Sequence, residues 1–234
     1  MAYLEGKNLV ASYGVVPILH ECSVEVEKGE LAVIVGPNGA GKSTVMRVLL
    51  GMLEATSGSV KFDGEDISTL TTQERINHGL AFVPQTKNVF PSMTVEENLQ
   101  MGGFIRKDDI SKTIDEVYEL FPILHEKRKQ LAEQLSGGQR QQVAFGRAMM
   151  TRPSVMLLDE PTAGVSPIVM DEIFSNILDV RNAGMAVLMV EQNAQQALNI
   201  ADKGYVLVSG RNEHTGTGKD LINNPEVRKK FLGG

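Results

Sequence analysis

Gly36-Pro37-Asn38-Gly39-Ala40-Gly41-Lys42-Ser43-Thr44 fits the phosphate-loop pattern G-x-x-x-x-G-K-[ST] at every fixed position. Leu31-Ala32-Val33-Ile34-Val35 precedes it, a short apolar run of buried-strand type. Residues 45–50 follow it and read as a helix that Gly51 stops. Strand, loop and helix are the context the pattern needs. The glycines let the backbone curl round a phosphate with no Cβ in the way. Amides of the loop and of the first helical turn point at the anion, and the helix dipole favours negative charge there. Lys42 would reach the β- and γ-phosphates, and the Ser43 hydroxyl would ligate Mg²⁺.

A chain of 234 residues is one large domain, or a domain with a subdomain. Its 42% hydrophobic and 22% charged residues are those of a globular protein. The net charge of −6 argues against a nucleic-acid binder that works through a broad basic surface. Cys22 is the only cysteine, which excludes an intramolecular disulfide and suits a reduced, cytosolic setting. Residues 1–5 have no charged-then-apolar signal pattern. No apolar run approaches the ~20 residues that span a bilayer, so any membrane span is expected from other chains. His20, His78, His125 and His214 show no metal spacing.

Around the loop, alternating runs at 4–10 and 23–27, with turn signals at Gly14 and Lys28-Gly29, suggest an antiparallel sheet with one wet face. Tyr13 ends the first run; it could stack on a base or be an edge-strand tyrosine. Residues 59–64 read as strand and turn, 66–77 as a short helical region, and 80–83 as a buried strand leading to Pro84-Gln85. From about 87 to 151 the pattern is helical. Thr94 with Glu97 marks a helix through Met101, and 111–120 carries apolar residues at helical spacing up to Phe121-Pro122. Ser136 of Leu135-Ser136-Gly137-Gly138-Gln139 could cap a helix over 139–150, whose bare amides suit an anion or simply a tight turn.

Val155-Met156-Leu157-Leu158-Asp159-Glu160 is an apolar strand ending in two carboxylates. In phosphate-loop proteins the first holds Mg²⁺, and the second can deprotonate a water for attack on the γ-phosphate. A helix over 168–180, a strand over 186–190 leading to Glu191-Gln192-Asn193, a helix over 194–201, a strand over 204–208 and a charged helical tail from 220 complete the chain.

These residues resemble the ATP-binding subunit of an ABC transporter. The phosphate loop, Leu135-Ser136-Gly137-Gly138-Gln139 and Leu157-Leu158-Asp159-Glu160 occur in that family's order, with Gln139 20 residues before Asp159. The resemblance covers nearly the whole chain. It implies an α/β phosphate-loop core with a mainly parallel sheet, an N-terminal antiparallel β subdomain and an inserted α-helical subdomain. Residues 1–86 and 152–234 would form the core and 87–151 the helical insertion. It implies ATP and Mg²⁺ as ligands, Tyr13 stacked on adenine, and Gln85 touching Mg²⁺ and reporting to membrane subunits. Ser136, Gly137, Gly138 and Gln139 would bind the γ-phosphate held by the other subunit of a head-to-tail dimer. Glu160 would be the general base, and residues 36–44 would hold the phosphates.

Two positions depart from the family pattern. Ser166 stands where an aspartate is usual, and Gln192 where a histidine contacts the γ-phosphate. Glutamine can hydrogen-bond a phosphate but cannot carry a proton as imidazole does, so ATP hydrolysis is expected to be modest. Val190-Glu191-Gln192-Asn193-Ala194, Thr94-Val95-Glu96-Glu97-Asn98-Leu99, residues 201–207 and the ending Phe231-Leu232-Gly233-Gly234 resemble one subgroup. It is the shorter ATPase of importers for branched-chain or other hydrophobic amino acids, with the urea-importer ATPase a near relative. That implies a peripheral subunit on the cytoplasmic face of the membrane. Its partners would be a second ABC ATPase, two transmembrane permease subunits and, indirectly, an extracytoplasmic binding protein, with no nucleic acid. Rival readings are the ATPase of a urea or other small polar solute importer, a soluble ABC ATPase acting on ribosomes or DNA, and a regulatory nucleotide-binding subunit without useful turnover.

Overall fold

The computed structural model describes residues 2–232, so Gly233 and Gly234 of the subgroup-like ending lie outside the described residues. The chain begins as a hairpin, β1 (Leu4–Tyr13) and β2 (Val16–Val26), then enters β3 (Leu31–Val35) and α1 (Lys42–Leu49). β4 (Ser57–Phe62), β5 (Glu65–Asp66), α2 (Thr72–Asn77) and β6 (Leu80–Val83) follow. A helical stretch comes next: α3 (Val95–Gly102), α4 (Ser111–Leu120), α5 (Pro122–Glu126) and α6 (Gly137–Met149). Then β7 (Val155–Asp159), α7 (Pro167–Asn182), β8 (Ala186–Val190) and α8 (Ala194–Ile200) alternate. The chain closes with β9 (Lys203–Val208), β10 (Arg211–Gly216), α9 (Gly218–Asn223) and α10 (Pro225–Val227), then a π-helical turn at Arg228–Leu232.

Two sheets form. The smaller is antiparallel, in the order β2-β1-β4-β5; the larger runs β10-β9-β3-β8-β7-β6, parallel except for β10. β3, β7 and β8 are almost wholly apolar because helices or the second sheet cover both of their faces. Their residues divide with a period of two. Leu31, Val33, Met156, Leu158, Val187 and Met189 face a core shared with the helices. Ala32, Ile34, Val155, Leu157, Ala186 and Leu188 face a core shared with α1 and the antiparallel sheet. Val95, Phe121 and Phe145 of the helical stretch belong to the first of these cores, so that stretch packs on the sheet rather than on itself alone.

Local chemistry sets the helix starts. α2, α3 and α6 each begin with a reciprocal capping box: Thr71 with Glu74, Thr94 with Glu97, and Ser136 with Gln139. Two expectations need correction. The helical region over 66–77 is helical only from Thr72. Glu65 and Asp66 instead pair with β4, and the Ser68 amide donates to Asp66 Oδ1, which holds the chain in a turn. The hairpin strands also run further than expected, so that Tyr13 pairs with Val16 across a tight turn at Gly14, whose φ is +61°. β10 and α5 were not foreseen.

α1 is braced from below by Arg75, a guanidinium only 3% exposed. Its Nη1 donates to the Val48 and Leu49 carbonyls, both at 2.8 Å, Nη2 to Ser68 O at 2.7 Å and Nε to Leu70 O at 3.0 Å. The cation sits at the negative end of the helix dipole and satisfies carbonyls the helix leaves open. Arg75→Met should lower unfolding free energy by about 3 kcal/mol in urea titrations, because buried acceptors lose a charged partner. Arg75→Lys should recover less than half, since one ammonium cannot reach all these segments. A loss under about 1 kcal/mol for the methionine variant would contradict this bracing role.

Candidate functional site

The parallel strands deliver their carboxyl ends to one edge of the sheet, where open α/β sheets bind ligands. Val190 is in register with Ile34 on one side and Asp159 on the other. The chain leaving each strand stays tied to its neighbour: the Glu160 amide donates to Val190 O at 2.9 Å and the Glu191 amide to Ile34 O at 3.0 Å. Residues 36–44, Asp159-Glu160 and Glu191-Gln192 therefore emerge at the same level.

The loop leaves β3 at Gly36, whose φ is +149° and where a Cβ would run into the Leu207 carbonyl. It folds over the Lys42 side chain, which is 5% exposed. Lys42 Nζ donates to Gly36 O at 2.9 Å and Pro37 O at 3.3 Å, and lies 3.9 Å from Glu160 Oε1. Asn38, Gly39, Ala40, Gly41, Ser43 and Thr44 line a cleft of about 250 Å³ together with Lys42, Ile18 of β2 and Glu160.

Ser43 Oγ donates to Asp159 Oδ1 at 3.2 Å. Burial raises the Asp159 carboxyl above its ordinary value, and the Ser43 hydrogen bond, Arg47 and Lys42 pull it back only in part. Glu160 has a positive φ of +46°, a strained conformation for a residue with a Cβ. Gln85 Nε2 donates to Glu160 Oε2 at 3.2 Å. The sheet edge thus brings together Lys42, Ser43, Gln85, Asp159 and Glu160. Such a set offers backbone and cationic donors for phosphate, oxygen ligands for a divalent cation, and a carboxylate beside them that could take a proton from water.

Tyr13 lies at the hairpin tip, 44% exposed, and its hydroxyl accepts from Arg47 Nη1 at 2.8 Å. Ser136 is exposed at the start of α6, where the Glu172 carboxylate lies against Gly138 and would have to shift to admit a Cβ. Gln139 closes the capping box with Ser136 and also accepts from Lys127 Nζ at 3.2 Å. Among the described residues no hydrogen bond joins Ser136, Gly137, Gly138 or Gln139 to the phosphate loop of the same chain. Gln192 is exposed and lines a separate polar cleft with α8 and Phe231. Ser166 precedes α7 without a side-chain cap bond.

Sequence reasoning assigned no role to Glu191, although it follows an apolar strand just as Asp159 ends one. It is 1% exposed. Oε1 accepts from the Thr162 amide at 3.0 Å and the Thr162 hydroxyl at 2.8 Å, and Oε2 from the Gln192 amide at 3.1 Å. Asn193 Nδ2 donates to Thr162 Oγ1 at 3.3 Å. Burial raises the Glu191 carboxyl, and these donors counteract the rise.

Residues 19–163 match the family model described as ABC transporter. The chain is 47% identical over 223 residues to the high-affinity branched-chain amino acid transport ATP-binding protein BraG of Pseudomonas aeruginosa, covering 95% of this chain and 96% of that one. It is 39% identical over 228 residues to the probable branched-chain amino acid transport ATP-binding protein LivF of Archaeoglobus fulgidus, covering 97% of each. Among solved structures, the ADP conformation of MJ1267, an ATP-binding cassette of an ABC transporter, superposes with a TM-score of 0.90 at 31% identity over the full length of both chains. With this fold, this sheet edge and these likenesses together, the chain belongs to the ABC transporter family as one of its ATP-binding subunits.

Proposed function

We propose that this chain binds and hydrolyses ATP to energise import of branched-chain or other hydrophobic amino acids through a membrane permease. The observation that carries the hydrolytic part is the convergence of Lys42, Ser43, Asp159, Glu160 and Gln85 on one sheet edge. The amino-acid part rests on the similarity to BraG and LivF.

In this reading residues 36–44 cradle the phosphates, and Lys42, now held by loop carbonyls, turns to the β- and γ-phosphates. Tyr13 stacks on adenine, with Arg47 fixing its hydroxyl. Ser43, Gln85 and Asp159 would hold Mg²⁺. The residues fit a cation: Asp159 is a desolvated carboxylate whose charge is under-compensated by its neighbours, and Ser43 already bonds to it. Bound there, Mg²⁺ would neutralise charge on the phosphates. Glu160, oriented by Gln85 and the bond to Val190, takes the proton of the attacking water.

Ser136, Gly137, Gly138 and Gln139 act on the nucleotide of a second ATPase subunit, which returns the same service to this chain. The helical insertion over 87–151 carries this motif, with 1–86 and 152–234 as the nucleotide-binding core. Two permease subunits provide the path, fed by an extracytoplasmic binding protein, with the ATPase on the cytoplasmic face and no nucleic acid involved. Gln192 contacts the γ-phosphate as a hydrogen-bonding side chain without a proton to move, which keeps turnover modest.

Glu160→Gln should lower kcat at least about 100-fold while ATP affinity stays within a few-fold. Parent-like turnover in that variant would favour a regulatory subunit instead. Deletion of the gene should reduce leucine uptake and leave urea uptake unchanged, and the reverse pattern would overturn the cargo assignment. The raised carboxyl of Asp159 yields a third expectation. The native state holds that proton more tightly than the unfolded chain, so between the ordinary and the raised value stability falls as pH rises, and the full penalty is present above both. Without nucleotide or metal, Asp159→Asn should therefore melt higher than the parent at pH 7. The gap should close as pH falls toward about 3.9, the ordinary aspartate value. A lower melting point at pH 7 would contradict it.

A further inference from the structure

We infer that Glu191 is a positioning residue that fixes Gln192 relative to Glu160, by binding the chain after β7 and the chain after β8 to one buried carboxylate. The inference rests on the ATPase reading above and deepens it.

The carboxylate is almost fully enclosed, and every partner it has is a donor from a segment leading out of the site. Thr162, two residues beyond Glu160 and itself 1% exposed, gives Oε1 both its amide and its hydroxyl. Gln192 gives Oε2 its amide, and Asn193 returns to the Thr162 hydroxyl. The Thr162 hydroxyl therefore donates to Glu191 and accepts from Asn193, which closes a ring between two loops. The same two loops are tied once more through the Glu160 amide and Val190 O. No cation pairs with Glu191 among the described residues, so its charge is balanced by these dipoles alone. A buried carboxylate so arranged sets the spacing of what it holds, and a general base and a γ-phosphate contact need a fixed spacing.

Substitution separates this role from a purely structural one. Glutamine at 191 keeps the shape but aims an NH₂ at an N–H donor, and Thr162→Val removes the hydroxyl alone. Both should lower kcat about tenfold with KM within twofold, and Thr162→Ser, which keeps both donors, should restore most of the turnover. If Glu191 acts through Gln192, Glu191→Gln added to Gln192→Ala should cause no further loss. Additive losses, or parent-like kcat in Thr162→Val, would overturn the inference. So would loss of turnover that only follows loss of folded protein by melting curve, with serine no better than valine. Should the parent show no turnover, the ATPase reading falls by itself. The inference is then read from the affinity ratio of a non-hydrolysable ATP analogue to ADP: Glu191→Gln should bring it as close to 1 as Gln192→Ala does, and a parent-like ratio would refute it.

Discussion

The pairing of Val190 with Ile34 and with Asp159 is the constraint on which the site depends. Because these strands are parallel and buried on both faces, a slip of one residue would turn apolar side chains toward the wrong core and would move Asp159 off the level of Ser43. The two cores thus hold the register, and the register places the phosphate loop, the paired carboxylates and Gln192 at one edge. Arg75 extends the same logic to α1, since the helix that presents Lys42 and Ser43 is anchored at its far end by a buried cation.

Asp159 and Glu191 show how neighbouring strand ends assign different work to the same functional group. Both are desolvated, and both carboxyls are raised. Asp159 keeps one hydroxyl partner beside an open cleft, so its charge remains available to a cation. Glu191 is enclosed and met by donors on both oxygens, which leaves it a fixed element of the scaffold. Burial alone does not separate a ligand from a brace; the number and direction of the donors do.

Much of this was legible in the chain. The phosphate loop depends on backbone freedom and one lysine within nine residues, so its signal is local. β3, β7 and β8 could be read because both their faces are buried, the start of α3 because its capping box lies within four residues, and Ser136 as a cap for α6, although that helix begins at Gly137 rather than Gln139. What escaped is tertiary. β10 alternates only partly buried polar residues with exposed ones and is a strand only because β9 lies beside it. The bond from Thr162 to Glu191 spans 29 positions, and that from Arg75 to Val48 spans 27. The helix expected over 66–77 was lost to a strand pair and an aspartate turn before the Thr71 cap. Gln192, whose γ-phosphate role comes from resemblance alone, leaves the same sheet edge and also lines a cleft with α8.

Among the described residues no hydrogen bond joins Ser136 to the phosphate loop of the same chain, and the proposed function turns on that separation: in it, each chain supplies half of two sites. The direct measurement is ATP turnover per chain against chain concentration, with mass followed by light scattering. The account predicts low turnover when the chain is dilute, rising as chains pair or when a partner ATPase is added. Turnover that stays constant with dilution, from a species shown to be a monomer, would contradict it.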